Sequence, residues 1–395
     1  MFMNDVALSH KEFIQLTKDY SQAAEAAKLV YVSDKDMGIV RIKKGTGFSY
    51  AYNDKPVTDK QQLERIKKLV LPPAWRDVWI CYYENGHLQA TGYDSKNRKQ
   101  YRYHALWNAL RNETKFHRLY EFGKVLPDLR TRIEADMQIK ELTVNKVLAT
   151  VLSLMERTYI RVGNAEYEKM NGSFGLTTLK DKHVKINGSK ITFAFKGKRG
   201  ISHNITLQNK RLAKAVKDCR DIPGKELFQY YTENGERKAI DSSMLNNYIK
   251  EVTGTDFSAK DFRTWAGSLQ MLRCLKCLEK ADTLGQRKSN IVAALNEVSL
   301  KLGNTRTVCK KYYVHPGIID LYERDEIEKY LKELDGIEEP NTPNILTRDE
   351  KVLMKILKEL VSGNVNPEAS LIKDLKKSLA KNKSSRTKTG NQSPN

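Results

Sequence analysis

No stretch of this chain approaches the ~18 consecutive apolar residues that a membrane-spanning helix needs. The opening MFMNDVALSHKEF lacks the basic-then-apolar layout of a secretory signal, so the expectation is a cytoplasmic protein. Cysteine is sparse. Cys81, Cys219, Cys274, Cys277 and Cys309 form an odd, scattered set, which argues against a disulfide framework and for a reducing compartment. Cys274 and Cys277 make a C-x-x-C, but no second ligand pair accompanies it. It falls within WAGSLQMLRCLKCLEKA, which reads as an amphipathic helix, so core cysteines are expected there. The chain has no G-x-x-x-x-G-K-[ST], and the two glycines of GTGFS have no nucleotide fingerprint around them. It has no H-E-x-x-H and no dense carboxylate cluster. Neither a nucleotide, a metal nor any other cofactor is therefore expected. Acidic residues are in deficit: 48 Asp and Glu face 69 Lys and Arg, a formal net charge of +21. Such a surface attracts polyanions, with nucleic acid ahead of a membrane surface as the partner.

With 395 residues, the chain is long enough for two or three domains. The first hundred residues look rich in strands. VWICYYENGHLQATGYD has two strand-like runs around Asn85-Gly86, a hairpin-turn signal, and the preceding VTDKQQLERIKKL looks helical with Asp59 or Thr58 as its cap. From about 105 to 162 the text is mainly helical. Val144, Leu148, Val151, Met155, Tyr159 and Val162 recur at helical spacing, and Gly163 is placed to end that helix. Three strands follow, marked by alternation at Val184 and Ile186, at Ile191, Phe193 and Phe195, and at Ile201, His203 and Ile205. Helices resume near 209. One ends at Gly303, and a short one begins at Asn304-Thr305 and carries Tyr312 and Tyr313. GIEEPNTPN (336–344) reads as a linker, TRDEKVLMKILKELVSG as a helix with a Thr347/Glu350 capping box, and the basic end as disordered. The reading is an α+β protein. A small, mainly β N-terminal lobe (1–104) precedes a larger, mostly helical domain with a three-stranded sheet (105–335), a linker and helix (336–365) and a basic tail (366–395).

CKKYYVHPG (309–317) sets two adjacent tyrosines behind lysines. Attack on a phosphodiester without a metal needs a nucleophile that can leave again, and a phenol with a pKa near 10 suits that. It also needs planar cations on the non-bridging oxygens and a proton donor for the departing sugar oxygen. Taken singly, the residues allow other readings. Either tyrosine could be packing. Arg161 could face a helix dipole from the last turn. Lys198 is hard to separate from Lys196 and Arg199 in a solvated turn, and Arg263 could pair with Asp261.

LGNTRTVCKKYYVHP resembles the nucleophile segment of type IB DNA topoisomerases, in their compact bacterial and poxvirus-like form. YIRVGNAEYEKMNGSFGLTTLKDKHV, FKGKRGISH and KDFRTWAGS resemble the family's first arginine block, lysine hairpin and second arginine block. LPPAW and GHLQATGYDSKNRKQYRYH resemble its N-terminal DNA-clamping domain. The segments stand in family order from about residue 30 to 330. The resemblance implies Tyr313 as nucleophile, supported by Arg161, Lys198 and Arg263, with DNA contacts at Gln100, Tyr101 and Tyr103. Tyr167 is a further candidate for contact with the DNA backbone, and the tail for a non-specific tether. Where the poxvirus form has a histidine nine residues before the nucleophile, this chain has Asn304, which can donate a hydrogen bond but carries no charge. The implied activity is ATP-independent, metal-free relaxation of duplex DNA through a 3′-phosphotyrosyl intermediate, by a monomer associated with DNA. A tyrosine recombinase shares this chemistry but usually shows His-x-x-Arg where this chain has Lys260-Asp261-Phe262-Arg263. A basic DNA-binding protein without chemistry is the other alternative.

Overall fold

The computed structural model describes residues 10–335 and 344–362. Most of the expected linker and the whole basic tail lie outside the described residues. The chain forms two compact units, one reaching Arg118 and one beginning at Leu119.

The first unit holds short helices α1 (His10–Gln15) and α2 (Tyr20–Ala26), then strands β1 (Ile39–Lys44), β2 (Gly47–Tyr52) and β3 (Lys55–Pro56). Helix α3 (Lys60–Lys68) follows, then β4 (Arg76–Ile80), β5 (Leu88–Tyr93) and β6 (Lys99–Tyr103). The strands pair antiparallel in the order β3-β2-β1-β4-β5-β6. Ile39, Ile66, Val78, Ile80 and Ala90 bury one face of this sheet. Asp59 caps α3, accepting from the Gln61 and Gln62 amides. β4 and β5 do form a hairpin, but residues 81–87 make a longer loop than Asn85-Gly86 suggests. The buried Gln89 side chain holds it, donating to the carbonyls of Gly86 (2.7 Å) and Glu84 (3.0 Å). Gly86 is required there because a Cβ would meet Cys81 Sγ at 2.4 Å.

Helix α4 (Ala105–Gln138) begins in the first unit and ends in the second. The second unit continues with α5 (Val144–Thr158), α6 (Ala165–Asn171), strands β7 (Val184–Asn187), β8 (Lys190–Lys196) and β9 (Ser202–Gln208), and α7 (Lys210–Arg220). After the small hairpin of β10 (Gln229–Tyr231) and β11 (Arg237–Ala239) come α8 (Ser242–Thr253), α9 (Ala259–Lys276), α10 (Leu284–Leu302), α11 (Arg306–Tyr312), α12 (Pro316–Glu323), α13 (Glu328–Glu333) and α14 (Arg348–Val361). β7, β8 and β9 form the expected three-stranded antiparallel sheet. The architecture is thus α+β, with the sheet-rich part first and the helical part after it.

Two helices differ from their sequence reading. α5 starts where Thr143 accepts from the Lys146 amide, but it ends at Thr158, with Tyr159 in the left-handed region (φ 57°). The apolar spacing runs on to Val162, yet that residue lies past the helix end and Gly163 does not close it. α9 is not amphipathic over its middle turns: Phe262 through Leu272 are all buried. Its end returns to solvent, so Cys274 is half-buried at the edge of the core and Cys277 is exposed, in place of the two core cysteines expected. α14 begins where Glu350 accepts from the Thr347 amide at 2.9 Å. The Glu350 carboxylate, 2% exposed, also takes Arg130 at 2.6 Å and the Trp265 indole N–H at 3.1 Å. Arg130 reaches Glu156 as well, at 2.5 Å, so one half-buried cation ties together α4, α5 and α14.

Candidate active site

Arg161 sits in an extended segment just after α5, not in the helix's last turn. Its carbonyl accepts from the Leu176 amide (2.8 Å), and the Val162 carbonyl accepts from the Thr177 amide (2.6 Å). Gly163 (φ 104°) and Gly175 bring these two backbones together; a Cβ on Gly175 would lie 2.6 Å from the Arg161 carbonyl oxygen. The Arg161 guanidinium is thereby aimed at the turn after α10. Its Nη2 donates to the Gly303 carbonyl at 3.0 Å and to Asn304 Oδ1 at 2.5 Å.

Arg263 projects from buried α9 and is 6% exposed. It makes no pair with Asp261, whose carboxylate caps its own helix on Ser258; side chains two apart on a helix do not face each other. Nη1 donates to the Tyr159 carbonyl at 2.5 Å and Nη2 to the Leu302 carbonyl at 2.7 Å. Nε is buried without a partner among the described residues, so a ligand oxygen there would satisfy a charged donor that is costly to leave unmet. The guanidinium carbon stands 5.0 Å from the centre of the Tyr313 ring.

The paired tyrosines separate clearly. Tyr312, the last residue of α11, is 38% exposed, with Lys311 Nζ 5.4 Å from its ring centre. Tyr313 is the C-cap and half-buried; its amide donates to the Cys309 carbonyl at 2.9 Å. Its backbone lies against Gly267 of α9, where a Cβ would come within 2.5 Å of the Tyr313 carbonyl oxygen. His315 is an N-cap, its Nδ1 accepting from the Gly317 amide at 3.1 Å. In Asn304, Oδ1 serves Arg161 and Nδ2 reaches the Leu302 carbonyl only at 3.4 Å. An amide nitrogen has two hydrogens to give, so this orientation keeps donor capacity on the side away from Arg161.

The electrostatics favour an anion. Burial, and then the charge of Arg263, push Arg161 down to about 10; a negative group close to both cations would offset these two costs. Burial pushes the Cys309 thiol up to about 11, so it stays protonated beside the arginines. His203 is lowered by burial and then by Arg161 and Arg263, and is held neutral. Its ring stacks on Phe195 at 5.0 Å and abuts Gly303. Sequence reasoning placed His203 only in a strand alternation; the signal for more was its position five residues after Lys198 in FKGKRGISH.

The structure brings Arg161, Arg263, Asn304 and Tyr313 together. Lys198 is exposed at the tip between β8 and β9, next to Arg199 in the left-handed region (φ 64°). Its Nζ lies 5.8 Å from the ring centre of Tyr167, which is itself 43% exposed on α6. In the first unit, β6 is one of the two edge strands, with β3 at the other side. Tyr101 and Tyr103 stack in parallel on one face, 5.9 Å apart and 49% and 37% exposed. Gln100 alternates to the other face and donates to Asp94 at 3.0 Å. No group of three or more His, Cys, Asp or Glu among the described residues could hold a metal. None of the described helices is long and apolar enough to cross a membrane.

Residues 97–339 match the family model described as eukaryotic DNA topoisomerase I, catalytic core. Residues 47–94 match that of the bacterial DNA topoisomerase IB N-terminal domain. The chain is 37% identical over 297 residues to DNA topoisomerase 1B of Acanthamoeba polyphaga mimivirus, covering 73% of this chain and 88% of the relative. It is 25% identical over 275 residues to DNA topoisomerase 1B of Vaccinia virus (strain Copenhagen), covering 67% and 84%. To DNA topoisomerase 1 of Schizosaccharomyces pombe it is 24% identical over 267 residues, covering 65% of this chain and 32% of that one.

Proposed function

The chain belongs to the type IB DNA topoisomerases, and from that premise we propose that it relaxes positive and negative supercoils in duplex DNA by reversible cleavage of one strand at Tyr313. The observation that carries this reading is a pair of guanidinium groups anchored on main-chain carbonyls, Arg263 beside the Tyr313 ring and Arg161 near enough to both for their charges to interact. Their positive charge is left for a substrate phosphate instead of being matched by a carboxylate among the described residues.

The Tyr313 phenol oxygen attacks phosphorus and gives up its proton to water. Arg161 and Arg263 stabilise the charge that builds on the non-bridging oxygens, with Asn304 as a neutral donor. The bond to the 5′ oxygen breaks, and Lys198 supplies that oxygen's proton. The products are a 3′-phosphotyrosyl link and a free 5′-hydroxyl. The broken strand swivels, and the hydroxyl attacks back. One ester bond is exchanged for another, so the step consumes no nucleotide and calls for no metal. Nucleophile and cations lie on one chain, which fits a monomer. Tyr101 and Tyr103 on the exposed edge of β6, with Gln100 and Tyr167, are proposed DNA contacts, the N-terminal lobe (1–104) and catalytic domain (105–335) each supplying a surface.

The test uses supercoiled plasmid with EDTA and without nucleotide, together with a denaturing gel of labelled oligonucleotide. The expected result is relaxation and a polypeptide-linked strand, both lost in Tyr313→Phe and retained in Tyr312→Phe. The opposite pattern for the two tyrosines would place the nucleophile at Tyr312, and an active protein that never links to DNA would refute the chemistry.

A further inference from the structure

His203 stands where three parts of the site meet. It lies on β9 opposite Phe195 of β8, and the two rings stack with planes 20° apart. The far edge of the imidazole is wedged between two glycines. A Cβ on Gly197, the residue before Lys198, would fall 2.6 Å from His203 Cδ2 and Nε2. A Cβ on Gly303, before Asn304, would fall 2.6 Å from Cε1. Both positions must therefore lack a side chain for the ring to fit. Gly197 also closes the lysine turn, its amide donating to the Ile201 carbonyl at 2.7 Å. Gly303, in the left-handed region (φ 57°), offers its carbonyl to Arg161. One rigid ring thus touches the backbone that carries Lys198 and the backbone that carries Asn304 and leads into α11. Arg161 and Arg263 disfavour a third cation there, so the ring acts as an uncharged spacer.

We propose that His203 is a positioning residue: by filling the space between Gly197 and Gly303 it sets the reach of Lys198 toward the leaving oxygen. This rests on the reading of Lys198 as proton donor. Misplacing a catalytic group by about 1 Å can cost about 10²-fold in rate, and a sulfur leaving group removes the need for the proton altogether, because a thiolate departs unprotonated.

The experiment measures single-turnover cleavage of a duplex whose scissile phosphate is bridged to the 5′ carbon by oxygen or by sulfur, at a site first mapped on labelled plasmid fragments. Wild type, His203→Ala, His203→Phe and Lys198→Ala are compared, with duplex binding measured for each. Expected is a loss of about 10²-fold in His203→Ala on the oxygen substrate, with cleavage of the sulfur substrate within about threefold of wild type. His203→Phe, which keeps the ring, should cleave both substrates at near the wild-type rate. If Lys198→Ala is restored by sulfur and His203→Ala is not, the imidazole serves the arginines or the nucleophile and the proposal falls. If His203→Phe is as slow as His203→Ala on oxygen while binding duplex normally, the spacer role falls. Failure of sulfur to restore Lys198→Ala would instead remove the proton-donor reading itself.

Discussion

Arg161 and Arg263 reach the Tyr313 region by different means, and the difference bears on what each can tolerate. Arg263 rises from the buried core of α9 and spends both terminal nitrogens on the carbonyls of Tyr159 and Leu302. A lysine has one compact ammonium head and cannot hold two divergent carbonyls and a phosphate oxygen at once. Arg263→Lys is therefore expected to slow single-turnover cleavage by about 10²–10³-fold with little change in duplex binding; a rate near wild type would show that charge alone suffices. The roles proposed for Tyr313, Lys198 and both arginines came only from the order of their sequence segments. Composition could not separate Tyr313 from Tyr312, since what differs between them is burial against α9, a tertiary property. Arg161 was visible as a residue but misplaced on a helix, because apolar spacing continues past Thr158 while the backbone has already turned at Tyr159. His203 was missed as a spacer because its contacts toward Lys198 and Asn304 are with glycines, which leave no side-chain pattern to detect.

Among the elements, α14 shows how much a single charged side chain can hold. Its capping signal, Thr347 to Glu350, was readable from local sequence. That the same Glu350 is buried against Arg130 and Trp265 was not, because those partners lie far away in the chain. Burial opposes ionisation of Glu350, but the Arg130 hydrogen bond and charge, with the Thr347 and Trp265 N–H groups, outweigh it and hold the carboxyl below its ordinary 4.5. A carboxyl with a depressed folded-state pKa contributes stability above its unfolded value and loses it as pH falls through the folded one. The contribution should therefore be intact at neutral pH and fade below about 4.5. Glu350→Gln leaves Arg130 with Glu156 as its remaining anion, and the expected loss at pH 7 is about 3 kcal/mol in urea unfolding, shrinking as pH drops below 4.5. A cost that stayed constant down to pH 3 would rule out the ionic contribution. The order of α5, α10 and α14, the end of α10 at Gly303 and the start of α14 followed from caps and spacing, but the end of α5 did not. The all-round burial of α9 did not, since a helix enclosed by others carries no polar face to read.

For the whole molecule, the excess of 69 basic over 48 acidic residues pointed to a polyanion before any motif was considered, and the α+β division followed from strand alternation giving way to helical spacing. Each phosphate neutralised by a lysine or arginine contributes about −0.9 to the slope of log affinity against log salt, so duplex binding is expected to weaken steeply with added salt. A flat titration would contradict phosphate contact as the main source of affinity. One further consequence follows from where Arg161 and Arg263 are moored. Amide oxygens neither gain nor lose protons across the range in which proteins survive, so acid cannot unfasten either side chain by neutralising its anchor. A chemist lowering the pH would first disturb the helix fastened by Glu350, with the two forks beside the phenol still in place.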